Sequence, residues 1–366
     1  MSKSFFDQSP MGYSFDDLLL APCKSKVASR EEVDISSEII SGIKQEIPII
    51  SANMGTITES LMINTMCDMG ANGILHRFMS LENLVDEIWA VSPKNRTKMG
   101  ISVGVNKEDI KRVLNMLHQS NYSLPFVVVD VAHGSHESVI EAIRYIKRTF
   151  PTFDIIVGNI CTGYAATELA YEGVSAVKVG VGPGSVCTTR IVTGCGYPQL
   201  SAIKNVSESI KEFNKERNKN IKVIADGGIR YSGDIVKSLA AGADTVMLGG
   251  LLAGTKETPG SVLTIGHSSE KKVKLFEGMA SIDAQINHFN KDKKKVSSEG
   301  VAMMVPYKGT VVDIINNLVK GIKSGFSYCG SMTLEELQEY GKDPSSWVRM
   351  TQNGFVEGMP HGMKND

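Results

Sequence analysis

No two of the six cysteines stand as a Cys-x-x-Cys pair; they lie at positions 23, 67, 161, 187, 195 and 329. That spacing gives neither a structural zinc site nor a disulfide framework. An excess of one charge is also missing: 39 basic against 40 acidic residues leave a net charge of -1. So even a balance offers no electrostatic footprint for nucleic acid or a membrane surface, and neither partner is expected. The longest apolar runs, such as Phe126–Val129, have strand length and fall far short of a membrane span. The opening Met-Ser-Lys-Ser-Phe-Phe-Asp has no apolar core of a secretory leader. No internal repeat stands out, and the charge run Lys291–Lys295 reads as a solvated loop. A reduced, cytoplasmic setting is the expectation, and it would keep a catalytic thiol free.

What the chain does have is 366 residues, 42% of them hydrophobic, enough for one large core. Eight short apolar runs recur: Ile47–Ile50, Gly73–Leu75, Gly100–Val103, Phe126–Val129, Asp154–Val157, Ala176–Val179, Lys222–Ala225 and Thr245–Leu248. Each ends near Gly, Asn, Asp or His. Apolar character throughout a run is the mark of parallel strands covered on both faces. Helical spacing fills the gaps at Leu81–Val91, Asp109–Leu117, Val139–Ile146, Ala165–Tyr171 and Ile235–Ala241, the last two stopped by Gly173 and Gly242. Eight strands alternating with helices predict an α/β fold, a (β/α)8 TIM barrel formed by residues 1–366 as one catalytic domain. An open, doubly wound sheet is the competing arrangement.

In such barrels chemistry sits just past the strand ends. Those positions hold Asn53, His76 and Arg77, Asp130 with His133, Asn159, Gly180 to Arg190, Asp226 to Gly228, and Gly249 with Gly250. A lone Asn or His there is ordinarily a loop cap; the convergence of seven such ends carries the weight. After the seventh and eighth strands come Asp226-Gly227-Gly228 and Gly249-Gly250, where paired glycines admit phosphate oxygens to backbone N–H groups. Asp226 can accept from ribose hydroxyls. The sixth loop, Gly180-Val-Gly-Pro-Gly-Ser-Val-Cys-Thr-Thr-Arg190, is the most unusual stretch. Its carbonyls suit a monovalent cation, potassium, with Gly182, Gly184, Cys187 and Arg190 as the candidate holders. Cys187, followed by two hydroxyls and an arginine, is the candidate nucleophile. Elsewhere an isolated cysteine would read as a small buried hydrophobe.

At this loop the sequence resembles the inosine monophosphate dehydrogenase and GMP reductase family. Ser51-Ala-Asn-Met, Asp130-Val-Ala-His-Gly, Lys178-Val-Gly, Asp226-Gly-Gly-Ile, Val246-Met-Leu-Gly-Gly and Glu277-Gly-Met follow in the family's order. The resemblance implies a purine nucleotide, GMP or IMP, attacked at C2 by Cys187. Thr189 would act as proton relay and Glu299 as general acid. It further implies substrate contacts from Ser185, Asp226, Gly227, Gly228, Gly249 and Gly250, and from Gly278, Met279, Ala280, Ser298 and Gly300. Asp130, Val131 and Ala132 would lie along the nicotinamide side, and Ser29 and Arg30 at the adenosine end, with Arg30 a sensible partner for a 2′-phosphate. Arg77, Val181, Gly182, Ser324 and Ser327 complete the implied cofactor contacts. A homotetramer is implied on the same ground.

Four features point to the reductase branch, which converts GMP to IMP and ammonia with NADPH. Only Ser92 to Lys98 stands where many dehydrogenases carry regulatory (CBS) domains. No arginine or tyrosine occurs between Ala284 and Ser298, where the dehydrogenase keeps an Arg-Tyr pair to activate water. Gly196-Tyr-Pro-Gln-Leu-Ser-Ala202 is similar to reductases, as is His76-Arg-Phe78. Ala28-Ser-Arg-Glu31 matches a reductase segment at the NADPH adenosine end. In the other direction, Ile229 to Asp234 and Leu252 to Glu257 are similar to bacterial dehydrogenases. Val296 and Val301 stand where the reductase often has Arg and Lys. IMP dehydrogenation to XMP with NAD therefore stays open as the alternative, as does a silent nucleotide-binding protein.

Overall fold

A computed structural model describes residues 9–119, 124–266, 270–279 and 299–358. Eight parallel strands close into a barrel: β1 (Ile49–Ser51), β2 (Asn72–Leu75), β3 (Gly100–Val103), β4 (Phe126–Asp130), β5 (Asp154–Ile160), β6 (Ala176–Val179), β7 (Lys222–Asp226) and β8 (Thr245–Leu248). β8 returns to pair with β1, Val246 opposite Ile49, so the sheet has no free edge. Every run predicted as a barrel strand is one. The barrel, not the open sheet, is the arrangement found.

The strands are buried along most of their length, five of them throughout, because helices cover the outside while side chains fill the inside. The helices Leu81–Ala90, Lys107–Gln119, Glu137–Thr149, Gly163–Tyr171 and Ser232–Ala240 fall where helical spacing placed them, with ends shifted by up to three residues. Ser80 and Thr162 cap two of them by accepting from Asn83 N and Ala165 N. Gly173 and Gly242 follow the helix stops with positive φ, +76° and +111°, which suits glycine. Between the helix Leu81–Ala90 and β3 stands only the single turn Pro93–Arg96.

Three small sheets lie outside the barrel rhythm, one of them the antiparallel pair Leu18–Leu20 with Trp347–Arg349. An antiparallel hairpin, Ser37–Ile40 with Ile43–Gln45, packs on the N-terminal ends of β7 and β8: Lys222 Nζ lies 3.1 Å from Glu38, and Gln45 donates to Thr245 Oγ1 at 2.6 Å. On the opposite side, the sheet Leu263–Ile265, Lys271–Glu277 and Ala302–Pro306 carries the chain past the C-terminal ends. Among the described residues no helix is long and apolar enough to cross a membrane.

Candidate active site

The C-terminal strand ends open into a cavity of about 790 Å³. All seven ends named from sequence contribute to its lining: those bearing Asn53, Arg77, Asp130, Asn159, Asp226 and Gly249, and the sixth loop, where every residue from Gly180 to Arg190 except Thr188 lines it. His76 is instead buried at the edge, 2% exposed and 3.5 Å from Glu59, with Nδ1 accepting from Phe78 N. His133 is exposed and does not line the cavity.

Cys187 sits in a turn closed by its own N–H on the Gly184 carbonyl at 3.1 Å. The segment Glu299 to Val301 is pinned against this turn. Thr188 N donates to Glu299 O at 2.9 Å, Val301 N donates to Val186 O at 3.0 Å, and Cys187 bridges Gly300. Residues 110 or more positions apart are thereby locked side by side. The side chains then form a chain of contacts: Cys187 Sγ lies 3.2 Å from Thr189 Oγ1, which donates to Glu299 Oε2 at 2.9 Å. A hydroxyl between a sulfur and a carboxylate can pass a proton in either direction.

The glycines leave room at the β7 and β8 ends. A Cβ on Gly250 would lie 2.7 Å from Ser185 Oγ, and one on Gly249 3.3 Å from Met54 Sδ. Gly227 and Gly228 have φ of +89° and +79°, which only glycine adopts freely. Gly278 and Met279 complete this wall, Met279 Sδ lying 3.2 Å from Gly55 N. Ala280 and Ser298, with the 284–298 stretch, lie outside the described residues.

The residues expected to face a cofactor divide into two groups. Arg77, Asp130, Val131, Ala132, Val181 and Gly182 line the cavity. Arg77 lies 4.0 Å from Asp130 and over the Phe78 ring; burial lowers its pKa while Asp130 opposes that. Ser29, Arg30, Ser324 and Ser327 do not line it. Arg30 lies 5.8 Å from the Tyr328 ring centroid beside the helix Val311–Tyr328, which carries both serines. Of the candidate cation holders, Arg190 uses its guanidinium on the carbonyls of Val181 and Tyr197, and its own carbonyl accepts from Gly194 N. Of the other three, all in the Cys187 loop, Gly184 has its carbonyl accepting from Cys187 N.

Sequence reasoning assigned no role to Lys178, yet its ammonium lies among the site's acidic groups, 2.7 Å from Asp226 and 3.3 Å from Asp130. The signal was available: a lysine inside the apolar strand Ala-Val-Lys-Val. Asn159 is aimed by a bulge, because β5 advances two residues, from Gly158 to Ile160, while β6 advances one. Its amide donates to Asp226 Oδ2 at 2.9 Å and to the Gly180 carbonyl at 2.7 Å.

The sequence profile described as IMP dehydrogenase / GMP reductase domain matches residues 12–361. The chain belongs to this family. It is thus an enzyme of a purine-nucleotide oxidoreductase family, one that depends on nicotinamide cofactors. It is similar to the inosine-5′-monophosphate dehydrogenase of Borreliella burgdorferi, 35% identical over 95% of this chain and 96% of that protein. It is also similar to that of Cryptosporidium parvum, 34% identical over 96% of each chain. A third, from Nitrosopumilus maritimus, is 31% identical over 96% of this chain and 98% of the relative. That alignment runs over 482 positions, so this relative carries more than a hundred residues absent here.

Proposed function

We propose that this protein uses Cys187 to attack C2 of a purine 5′-nucleotide and exchanges hydride with a nicotinamide dinucleotide at that carbon. The observation that carries this reading is the Cys187–Thr189–Glu299 chain opening into a cavity between a glycine-lined wall and Asp130. Asp226 takes the ribose hydroxyls, while Gly227, Gly228, Gly249, Gly250 and Ser185 surround the phosphate. Arg77, Asp130, Val131 and Ala132 provide room and charge for the nicotinamide. A bound nicotinamide dinucleotide accepts hydride from C2 in one direction and supplies it in the other. Potassium on the Gly182, Gly184 and Cys187 carbonyls belongs to the same reading. So do a homotetrameric assembly and a single catalytic domain without regulatory insertion.

The protein's own groups do the rest. The deprotonated sulfur of Cys187 bonds to C2. In the oxidative direction hydride departs from C2, water adds to the resulting thioimidate, and the C–S bond breaks to give XMP. Thr189 and Glu299 can then take a proton from that water. In the reductive direction the same pair hands a proton to the amine at C2 of GMP, ammonia leaves, hydride arrives, and the sulfur departs to give IMP.

The names of the relatives favour the oxidative direction, IMP dehydrogenation with NAD, over the reductive one. A second reading, GMP reduction with NADPH, is favoured by one observation on this chain. Residues 284–298 contain no arginine and no tyrosine to activate water, only lysines at 291 and 293–295 among the basic side chains besides His288. In that reading Ser29, Arg30, Ser324 and Ser327 take the adenosine end, with Arg30 on the 2′-phosphate. Chromatography of nucleotides from two incubations, IMP with NAD and GMP with NADPH, separates the two. XMP growing with time supports the dehydrogenase; IMP and ammonia in equal amounts support the reductase. Turnover of neither would contradict both.

A further inference from the structure

Lys178 is 3% exposed, inside a strand whose other three side chains are apolar. A buried ammonium must be paired or give up its charge. This one is paired three ways. Its Nζ lies 2.7 Å from Asp226 Oδ2 at the end of β7 and 3.3 Å from Asp130 Oδ1 at the end of β4, and it donates to Asn159 Oδ1 from the bulge on β5. Burial pulls its pKa down, but the two carboxylates outweigh burial and leave it raised. A single cation thus ties four neighbouring strands at the floor of the cavity. Asp226 stands on the nucleotide side and Asp130 on the nicotinamide side. Without the ammonium, Asp226 would keep the Asn159 amide as a donor, but the positive charge between the two carboxylates would be gone and their repulsion would turn one of them away.

We propose that Lys178 is a positioning residue shared by the two half-sites, its ammonium holding Asp226 aimed at the nucleotide ribose and Asp130 aimed at the nicotinamide side. The inference rests on the nucleotide and nicotinamide reading of the cavity. Lys178 takes no part in bond making. Its charge makes the two acceptors available together, so its loss weakens both ligands at once.

Lys178→Met, Lys178→Gln and Lys178→Arg in the full chain test this. Melting temperature reports folding, calorimetry with IMP and with GMP reports nucleotide binding, and KM for nucleotide and cofactor is measured in whichever direction turns over. Folded Lys178→Met or Lys178→Gln should bind nucleotide about ten-fold or more weakly, the loss expected when a buried carboxylate loses its charged donor. KM for the cofactor should rise in the same variants. Lys178→Arg should recover both to within roughly three-fold, since guanidinium also pairs with carboxylates. A charge with only a structural role would lower the melting temperature and leave both KM values alone. Either uncharged variant, folded and with both KM values unchanged or with only one raised, overturns the shared role. If the wild-type protein binds neither IMP nor GMP, the nucleotide reading itself has failed, a result distinct from any behaviour of the variants.

Discussion

Thr189 has one contact on each side, Cys187 Sγ at 3.2 Å and Glu299 Oε2 at 2.9 Å, and no other group bridges sulfur to carboxylate among the described contacts. Replacing its hydroxyl by a methyl in Thr189→Val keeps the volume and removes the relay. General acid–base assistance of this kind is worth about a hundred-fold or more in rate. The expectation is a fall of that size in kcat with nucleotide KM nearly unchanged, read from steady-state kinetics. A kcat within about three-fold of wild type, too small a loss for such a role, would remove Thr189 from the proton path. At this scale the sequence was informative where a residue broke the rule of its surroundings. Cys187 stood out because glycines and a proline gave its loop no room to be a core. Glu299 had no such signal; its place depends on backbone pairing with residues 186–188, which no local pattern encodes.

The elements divide in the same way. Barrel strands were legible because burial on both faces makes them uniformly apolar. The Ser37–Gln45 hairpin and the sheet spanning Leu263–Pro306 were not read, since strands such as Lys271–Glu277 mix charged and apolar residues and are only partly covered. The helix Gln199–Arg217 was missed too, its apolar face diluted by polar residues. The hairpin has a pH consequence. Next to its contact with β7, burial pushes the Asp244 carboxyl up from 3.8 to about 6, against Lys222 at 3.8 Å and the Val223 N–H. Its side chain keeps 22% of its surface in solvent, which tempers the shift. The folded state holds this proton to higher pH than the unfolded chain, so its contribution to stability is present below about 4 and lost as pH rises through about 6. Asp244→Asn stays neutral and can still accept from Val223. Its melting temperature relative to wild type should rise between pH 4 and pH 7; a constant difference would show that Asp244 ionises as freely in the fold as outside it.

For the whole molecule, fold and family were legible from strand count and from motifs spread along the chain. The direction of the reaction was not, because the stretch that distinguishes the two chemistries by its composition points one way and the names of full-length relatives point the other. What both proposed directions share is attack by the Cys187 sulfur at C2. The most direct measurement is therefore turnover by Cys187→Ala in both assays, IMP with NAD and GMP with NADPH, on protein shown by calorimetry to bind nucleotide. Loss of all nucleotide-dependent hydride exchange, with binding retained, is the expected result. Substantial turnover by the alanine variant in either assay would contradict covalent catalysis by Cys187.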